Sequence, residues 1–323
     1  MLSLAEIRTR GRFGHDGALF PETFSFWGTH LNTNYGWERA GRPAGAVVNP
    51  FIGRLYTGSL ELLILLLHLH AHTGDEEMLA RDLLPLARSV LRFYAEHYPR
   101  DADNRLRLAP AQSLETWWNV VNPLTDIAGL RAVLSALLAL DSPAITAGDR
   151  AAWQALLAFT PPLPLATDAN GTWLLPAAEC PLDPRNQENP ELYAVFPFRR
   201  FGIGRPDLAI GRETFLRRHF PGTGGWAQDA IQAALLGVTS TAAWLVQQNF
   251  TEPSSHARFR GFWGPHYDWI PDMDHGGVSM LALQLMLVQA VGDKIYLFPA
   301  WPADRWNVSF KLHAPKQTVV EGE

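Results

Sequence analysis

The chain has 323 residues, 47% hydrophobic and 18% charged, with a formal net charge of −5 at pH 7. That is enough apolar material for one large core or two ordinary ones, without the basic excess that drives nucleic-acid binding. The longest apolar run, Leu62 to Leu67, lies between Glu61 and His68, far short of the ~20 residues a membrane-spanning helix needs, and the lone Cys180 excludes an intrachain disulfide and a cysteine-built metal cage.

The first ten residues carry Glu6, Arg8 and Arg10 where a signal peptide needs an uninterrupted apolar stretch. Residues 11–54 mix Gly, Pro, Asn and aromatics without a sustained period, which is too long for an idle loop. Apolar spacing predicts a helix over 55–73 ending at Gly74, and a second from Asp75, its expected N-cap, to about Tyr98 before Pro99. Residues 108–123 read as irregular and polar-aromatic. Asp126 is expected to cap a helix running to Leu140, and Asp149 to start another ending near Phe159. The Pro-rich stretch 160–190 holds a turn signal at Asn170-Gly171 and predicts a hairpin or extended cover. Helices are expected over 207–219 and 226–249, the second broken at Gly237, and over 278–291. After Gly292, the segments 295–298, 307–313 and 317–320 read as strands. The expectation is a mainly α domain over 1–292 and the start of a β module over 293–323. Helix pairs joined by long loops fit an (α/α)₆ toroid with a cleft at one end; the plainer alternative is an irregular helical bundle.

Chemistry concentrates in three loop segments. Twelve Trp are present, several beside Gly, Asn, Asp or Pro rather than at helical spacing, and aromatic faces in polar clefts suit the C–H faces of sugars. The first segment, Trp27-Gly-Thr-His-Leu-Asn-Thr-Asn-Tyr-Gly-Trp37, offers Asn32 and Asn34, whose amides either orient a water or sugar hydroxyls or simply close Asx-turns. The second, Gln112-Ser-Leu-Glu-Thr-Trp-Trp-Asn-Val-Val-Asn-Pro123, sets Glu115 beside Trp117 and Trp118. An apolar wall favours a neutral carboxyl, as a general acid requires; a carboxylate at a helix N-terminus is the equal alternative. The third, Trp263-Gly-Pro-His-Tyr-Asp-Trp-Ile-Pro-Asp-Met-Asp-His-Gly-Gly277, gathers three carboxylates, two histidines and two indoles ahead of an apolar helix. Asp268, Asp272 and Asp274 are catalytic candidates, with one expected to cap that helix. His266 and His275 lack the regular spacing of a zinc motif and point to hydrogen bonding. No metal or cofactor is expected.

The order of these segments, from about Phe24 to the C-terminus, resembles the catalytic domain of glycoside hydrolase family 95, the inverting α-L-fucosidases and α-L-galactosidases of the six-hairpin glycosidase superfamily. Its sharpest part is Asp274-His-Gly-Gly, then a helix ending at Gln289, then Ile295-Tyr-Leu-Phe-Pro-Ala-Trp-Pro302. This is similar to the family's Asp-Gly-Asn-Phe-Gly, helix, Leu-Leu-Pro-Ala-Leu-Pro. The resemblance implies that Asp274 is the general base, working with Asn32 and Asn34, and that Glu115 is the general acid, because Ser113-Leu-Glu115 resembles the family's Ser-Pro-Glu-Asn. Where relatives carry Arg-His-x-Ser-His-Leu, this chain has Asn186-Gln-Glu-Asn-Pro-Glu-Leu-Tyr193, so a sugar-contacting wall differs. The spacing from Asn34 to the following Tyr and Trp is also shorter, and the chain looks like a divergent sister of the fucosidases.

On this reading the chain cleaves a terminal sugar from an oligo- or polysaccharide with inversion. Trp117, Trp118, Trp263 and Trp269 are the expected sugar platform, joined by Glu191, His266, Asp268 and His275. Glu191, Arg199 and Arg205 are expected either to bind hydroxyls or a carboxylate substituent, or to form a structural ion pair. Two alternatives remain: a carbohydrate-binding toroid without catalysis, and a polysaccharide lyase using Tyr267 or His266 as base near Arg260. Family relatives carry an N-terminal β-sandwich and first helices, so the resemblance implies a toroid lacking its opening helices here, and a secreted or periplasmic location for the full-length protein.

Overall fold

A computed structural model of the protein describes residues 1–21, 40–41, 47–223, 227–251 and 274–323, with side chains in the last span from residue 276. It is mainly α, about 45% helical with a few small sheets. By contacts the chain divides into two units, Met1–Ala166 with Leu174–Tyr193, and Thr167–Trp173 with Ala194–Glu323.

The first unit holds α1 (Leu2–Phe13), α2 (Gly58–Thr73), α3 (Glu76–Met78), α4 (Leu84–His97), α5 (Leu124–Ala139) and α6 (Ala147–Phe159). Helix α2 buries Leu60, Leu63, Ile64 and Leu67, the i, i+3, i+4, i+7 stripe. It stops at Gly74, whose left-handed φ of 66° lets its N–H reach the His70 carbonyl. Asp75 then caps α3 as expected, its side chain accepting from Met78 N. A π-helical turn over Leu79–Leu83 joins α3 to α4, so the expected second helix runs through with one locally widened turn.

Two expected caps are corrected. Helix α5 starts at Leu124 after Pro123, and Asp126 sits inside it, fully buried, accepting hydrogen bonds from Thr57 Oγ1 (2.7 Å) and Tyr94 Oη (3.1 Å). Its periodic neighbours are all apolar, so the carboxyl is carried into the core. Burial pushes its pKa up to about 7, against the lowering effect of those two hydroxyls. In α6 the N-cap is Thr146, and Asp149 is the third residue of a reciprocal capping box.

The second unit holds α7 (Leu208–Arg217), α8 (Asp229–Leu235), α9 (Thr239–Thr251) and α10 (Asp274–Leu287). Helices α8, α9 and α10 pack on one another. The break between α8 and α9 falls at Gly237, as expected: φ is +67°, and a Cβ there would lie 2.7 Å from Ile203 Cδ1. The helix expected over 278–291 is shifted. It starts at Asp274 and ends at Leu287, and Val288–Val291 instead forms a strand paired antiparallel with Lys294–Leu297 around Gly292. A second hairpin pairs Phe310–Ala314 with Thr318–Gly322.

The remaining strands are β1 (Ala111–Ser113), β2 (Trp117–Pro123), β3 (Leu165–Asp168), β4 (Gly171–Leu174) and β5 (Ala177–Glu179). β3 and β4 form the hairpin expected around Asn170-Gly171, and β1, β2 and β5 make a three-stranded antiparallel sheet in the first unit. Residues 108–123, expected to be irregular, therefore contain a hairpin.

Candidate functional site

That hairpin presents Glu115. Ser113 pairs with Trp117, leaving Leu114, Glu115 and Thr116 at the turn. Leu114 is held at φ +52°, left-handed backbone that costs a non-glycine residue roughly 1–2 kcal/mol. Its side chain is 4% exposed, and that burial offsets the strain. Glu115 is therefore a turn-tip residue, which removes the helix N-terminus alternative.

The turn is stapled to the segment that follows β5. Glu188 Oε2 accepts from Glu115 N and from Thr116 Oγ1, both at 2.9 Å, while Glu188 N donates to Thr116 Oγ1 at 3.0 Å. Asn186 Nδ2 donates to Glu115 Oε2 at 2.9 Å, fixing the carboxyl by one oxygen. Asn186 and Glu188 both belong to the Asn186-Gln-Glu-Asn stretch that the sequence marks as an altered wall. Their pairing with the turn was not read from the sequence; only the density of polar side chains in a Pro-bounded loop signals it.

Trp118 links Glu115 to an open cleft. Its indole N–H donates to the Glu115 carbonyl at 2.8 Å, the Phe51 ring meets it edge-on at 4.8 Å, and the Arg185 guanidinium lies 5.7 Å above it. The cleft, about 450 Å³, is lined by Trp118, Asn119, Gln112, Arg54, Arg12 and Tyr56 among others, within the roughly 300–1,000 Å³ usual for small-molecule sites. Gln112, 2% exposed, organises one wall: its amide nitrogen donates to the Phe51 (2.6 Å) and Pro50 (3.1 Å) carbonyls, and its oxygen accepts from Arg54 N at 2.5 Å. Arg12 Nη2 donates to the Gly53 carbonyl at 2.7 Å, and Arg54 bonds the Asn119 side chain. Indole, guanidinium and amide groups on one rim are the donor set and apolar face a polyhydroxylated ligand uses.

Other expected site residues sit elsewhere. Trp117 is 4% exposed and packs with Ala111, Val120 and Ala177 under the sheet, so it offers no face to a sugar; strand alternation turns it inward where Trp118 turns out. Glu191, 3% exposed, lies in a single 3₁₀ turn, Pro190–Leu192, and its charge, after burial, helps push the Cys180 thiol up to about 12. It too is no open sugar contact. Among the described residues no carboxylate pairs with Arg199 or Arg205. Asn32, Asn34, Trp263, His266, Asp268, Trp269 and Asp272 lie outside the described residues. Asp274 opens α10 and His275 follows it in the first turn, with their side chains outside the described part. Among the described residues no cluster of His, Cys, Asp or Glu is arranged to hold a metal ion, and no helix is long and apolar enough to cross a membrane.

No protein-family model matches the chain, and comparison with curated proteins gives no match. Among solved structures, one described as "Putative kojibiose phosphorylase from human microbiome" is similar over 99% of this chain at 12% identity and a TM-score of 0.59. The chain spans about half the length of that protein, 50%. At this identity the likeness speaks to the fold alone, and it does not single out family 95.

Proposed function

We propose that the protein is a carbohydrate-cleaving enzyme that removes a terminal sugar with inversion, Glu115 acting as general acid and Asp274 as general base. The observation that carries the proposal is the turn-tip placement of Glu115, its carboxyl oriented by Asn186 and its backbone bonded to Trp118 at the rim of a sugar-sized cleft. In an inverting reaction the acid protonates the leaving oxygen while a base about 6.5–9.5 Å away activates water on the opposite face of the ring. Asn186, donating to one oxygen, sets which way the carboxyl points. Asn32 and Asn34 would orient that water with Asp274, and Trp263, Trp269, His266, Asp268 and His275 would complete the sugar contacts.

A second reading follows from the solved neighbour, whose name is that of a phosphorylase. There inorganic phosphate replaces water as the attacking group, the acid keeps its role, and a sugar 1-phosphate leaves in place of the free sugar.

The test is a screen of aryl α- and β-glycosides and plant and algal oligosaccharides, with product stereochemistry followed by NMR. Glu115→Gln should lower kcat by about 10²-fold or more on glycosides with poor leaving groups, and much less on activated aryl glycosides. Equal losses on both classes, or none, would remove Glu115 as the acid.

A further inference from the structure

In the second unit the loop from Ala194 to Arg205 is tightly pinned. Arg200 N (2.7 Å) and Phe201 N (3.2 Å) both donate to the Ala194 carbonyl, Ile203 N donates to the Leu235 carbonyl at 2.9 Å, and Arg205 N closes onto Gly202 O at 3.1 Å. Gly202 has a φ of +154° and a Cβ there would sit 3.1 Å from the Leu235 carbonyl oxygen; Gly204, at +73°, lies under the Tyr296 ring, 2.6 Å from where its Cβ would be. Arg199 itself adopts φ +47°. The backbone that carries its guanidinium groups is therefore held in place.

It nevertheless carries three of them, Arg199, Arg200 and Arg205, and among the described residues no carboxylate pairs with any. Arg199 Nε and Arg200 Nε are both buried without a hydrogen-bond acceptor. Arginine does not shed its proton, so the cost of burying charge is not relieved by titration. Burial, with the charge of Arg205 second, holds both Arg199 and Arg200 below the usual guanidinium range. Three like charges on a strained loop are therefore unfavourable by themselves, and left-handed non-glycine backbone persists only where the surroundings or a function require it. Arg199 and Arg205 line one notch together with Gly202, Leu235 and Gln289. The notch is about 20 Å³, room for a single water-sized atom. Gln289 is committed elsewhere, its Nε2 donating to the carbonyls of Ala234 (2.8 Å) and Leu285 (2.9 Å). Arg205 is exposed at the mouth.

We propose that this notch is a binding site for an oxyanion, one oxygen entering between Arg199 and Arg205 while the rest stays toward solvent. Guanidinium forks match planar or tetrahedral oxyanions better than any other side chain does. The ligand is either a mineral oxyanion such as phosphate or the carboxylate of an acidic sugar. The inference does not rest on the catalytic reading.

Isothermal titration of the full chain with sodium phosphate, and separately with sodium glucuronate, at constant ionic strength decides it. Saturable binding of at least one is expected, weakened about tenfold or more in Arg205→Gln and in Arg199→Gln, and unchanged in Arg81→Gln, whose guanidinium is exposed and paired with Glu77 and Asp82. Binding of phosphate alone identifies a mineral ligand, and binding of glucuronate alone an acidic sugar; both support the site. No saturable heat with either up to about 10 mM, a range reaching millimolar affinity, overturns it. So does binding that Arg205→Gln leaves intact, and because Arg205 is exposed that variant remains decisive if Arg199→Gln does not fold. The titration contains no glycoside, so its failure leaves the role of Glu115 untouched.

Discussion

Trp117 and Trp118 are adjacent and chemically identical, yet strand alternation gives them opposite tasks. Trp117 fills the space beneath the β1–β2–β5 sheet, and Trp118 stands at the cleft beside Phe51 and Arg185. Trp117→Ala should lower unfolding stability by about 3–5 kcal/mol, the usual result of emptying a buried aromatic site, with sugar affinity per folded molecule unchanged. Trp118→Ala should do the reverse: a small change in Tm and a rise in KM of about tenfold, since an aromatic platform contributes about 1 kcal/mol or more. Urea denaturation and initial-rate kinetics on the same two variants separate these outcomes, and a shared phenotype would contradict the assignment. Glu115 follows the same logic. Its neighbours in sequence made it a candidate acid, but its partners Asn186 and Glu188 come from more than seventy residues away.

Between elements, the node that ties the first unit together is a carboxyl. Asp126 on α5 accepts from Thr57, just before α2, and from Tyr94 on α4, whose hydroxyl also donates to the Tyr56 carbonyl at 3.0 Å. Its folded-state pKa, near 7, lies above the 3.8 of the unfolded chain. Between pH 4 and 7 the folded protein therefore holds a proton that the unfolded chain has released, so stability falls as pH rises through that window and levels off above it. The loss is roughly 4 kcal/mol at most, from about 1.4 kcal/mol per pKa unit. Asp126→Asn keeps the size and an accepting oxygen without the charge. Urea unfolding of both proteins from pH 4 to 8 should show the variant losing less stability across the window; parallel profiles would mean that Asp126 is not the titrating group. His97 works in the opposite direction. Burial, with the charges of His15 and Arg12 behind it, lowers its pKa to about 4, so it favours folding less as pH falls below 6.5.

At the scale of the whole molecule, the likeness to a solved carbohydrate-processing protein concerns fold, and the chain spans half of that protein's length. On the function proposed above, water and phosphate are the two attacking groups to distinguish. If the chain is a hydrolase, cleavage of a responsive glycoside should proceed at the same rate in phosphate-free buffer and release free sugar; a rate that rises with phosphate and yields sugar 1-phosphate, by phosphorus NMR, assigns phosphorolysis instead. Because the oxyanion notch is tested by binding and this question by turnover, each can fail alone.

Helix periodicity, the glycine stops at Gly74 and Gly237 and the Asn170-Gly171 hairpin were legible in the sequence because each depends on residues within a few positions of one another. So was the placement of Glu115 outside any helix or strand, although the hairpin strand that carries Trp118 was read as irregular chain. The change from helix to strand at Val288 was not, since an apolar run has no period that separates the two, and pairing with Lys294–Leu297 decides it. Local signals likewise misplaced Asp126 and Asp149, which look alike as helix-start carboxylates. Only the packing of α2, α4 and α5 buries one, while Thr146 and Arg88 hold the other at the surface. Which Trp faces the cleft, what orients Glu115, and that among the described residues no acid pairs with the three arginines of one pinned loop are properties of contacts between distant segments. They arise from cooperative burial, which no window along the chain contains.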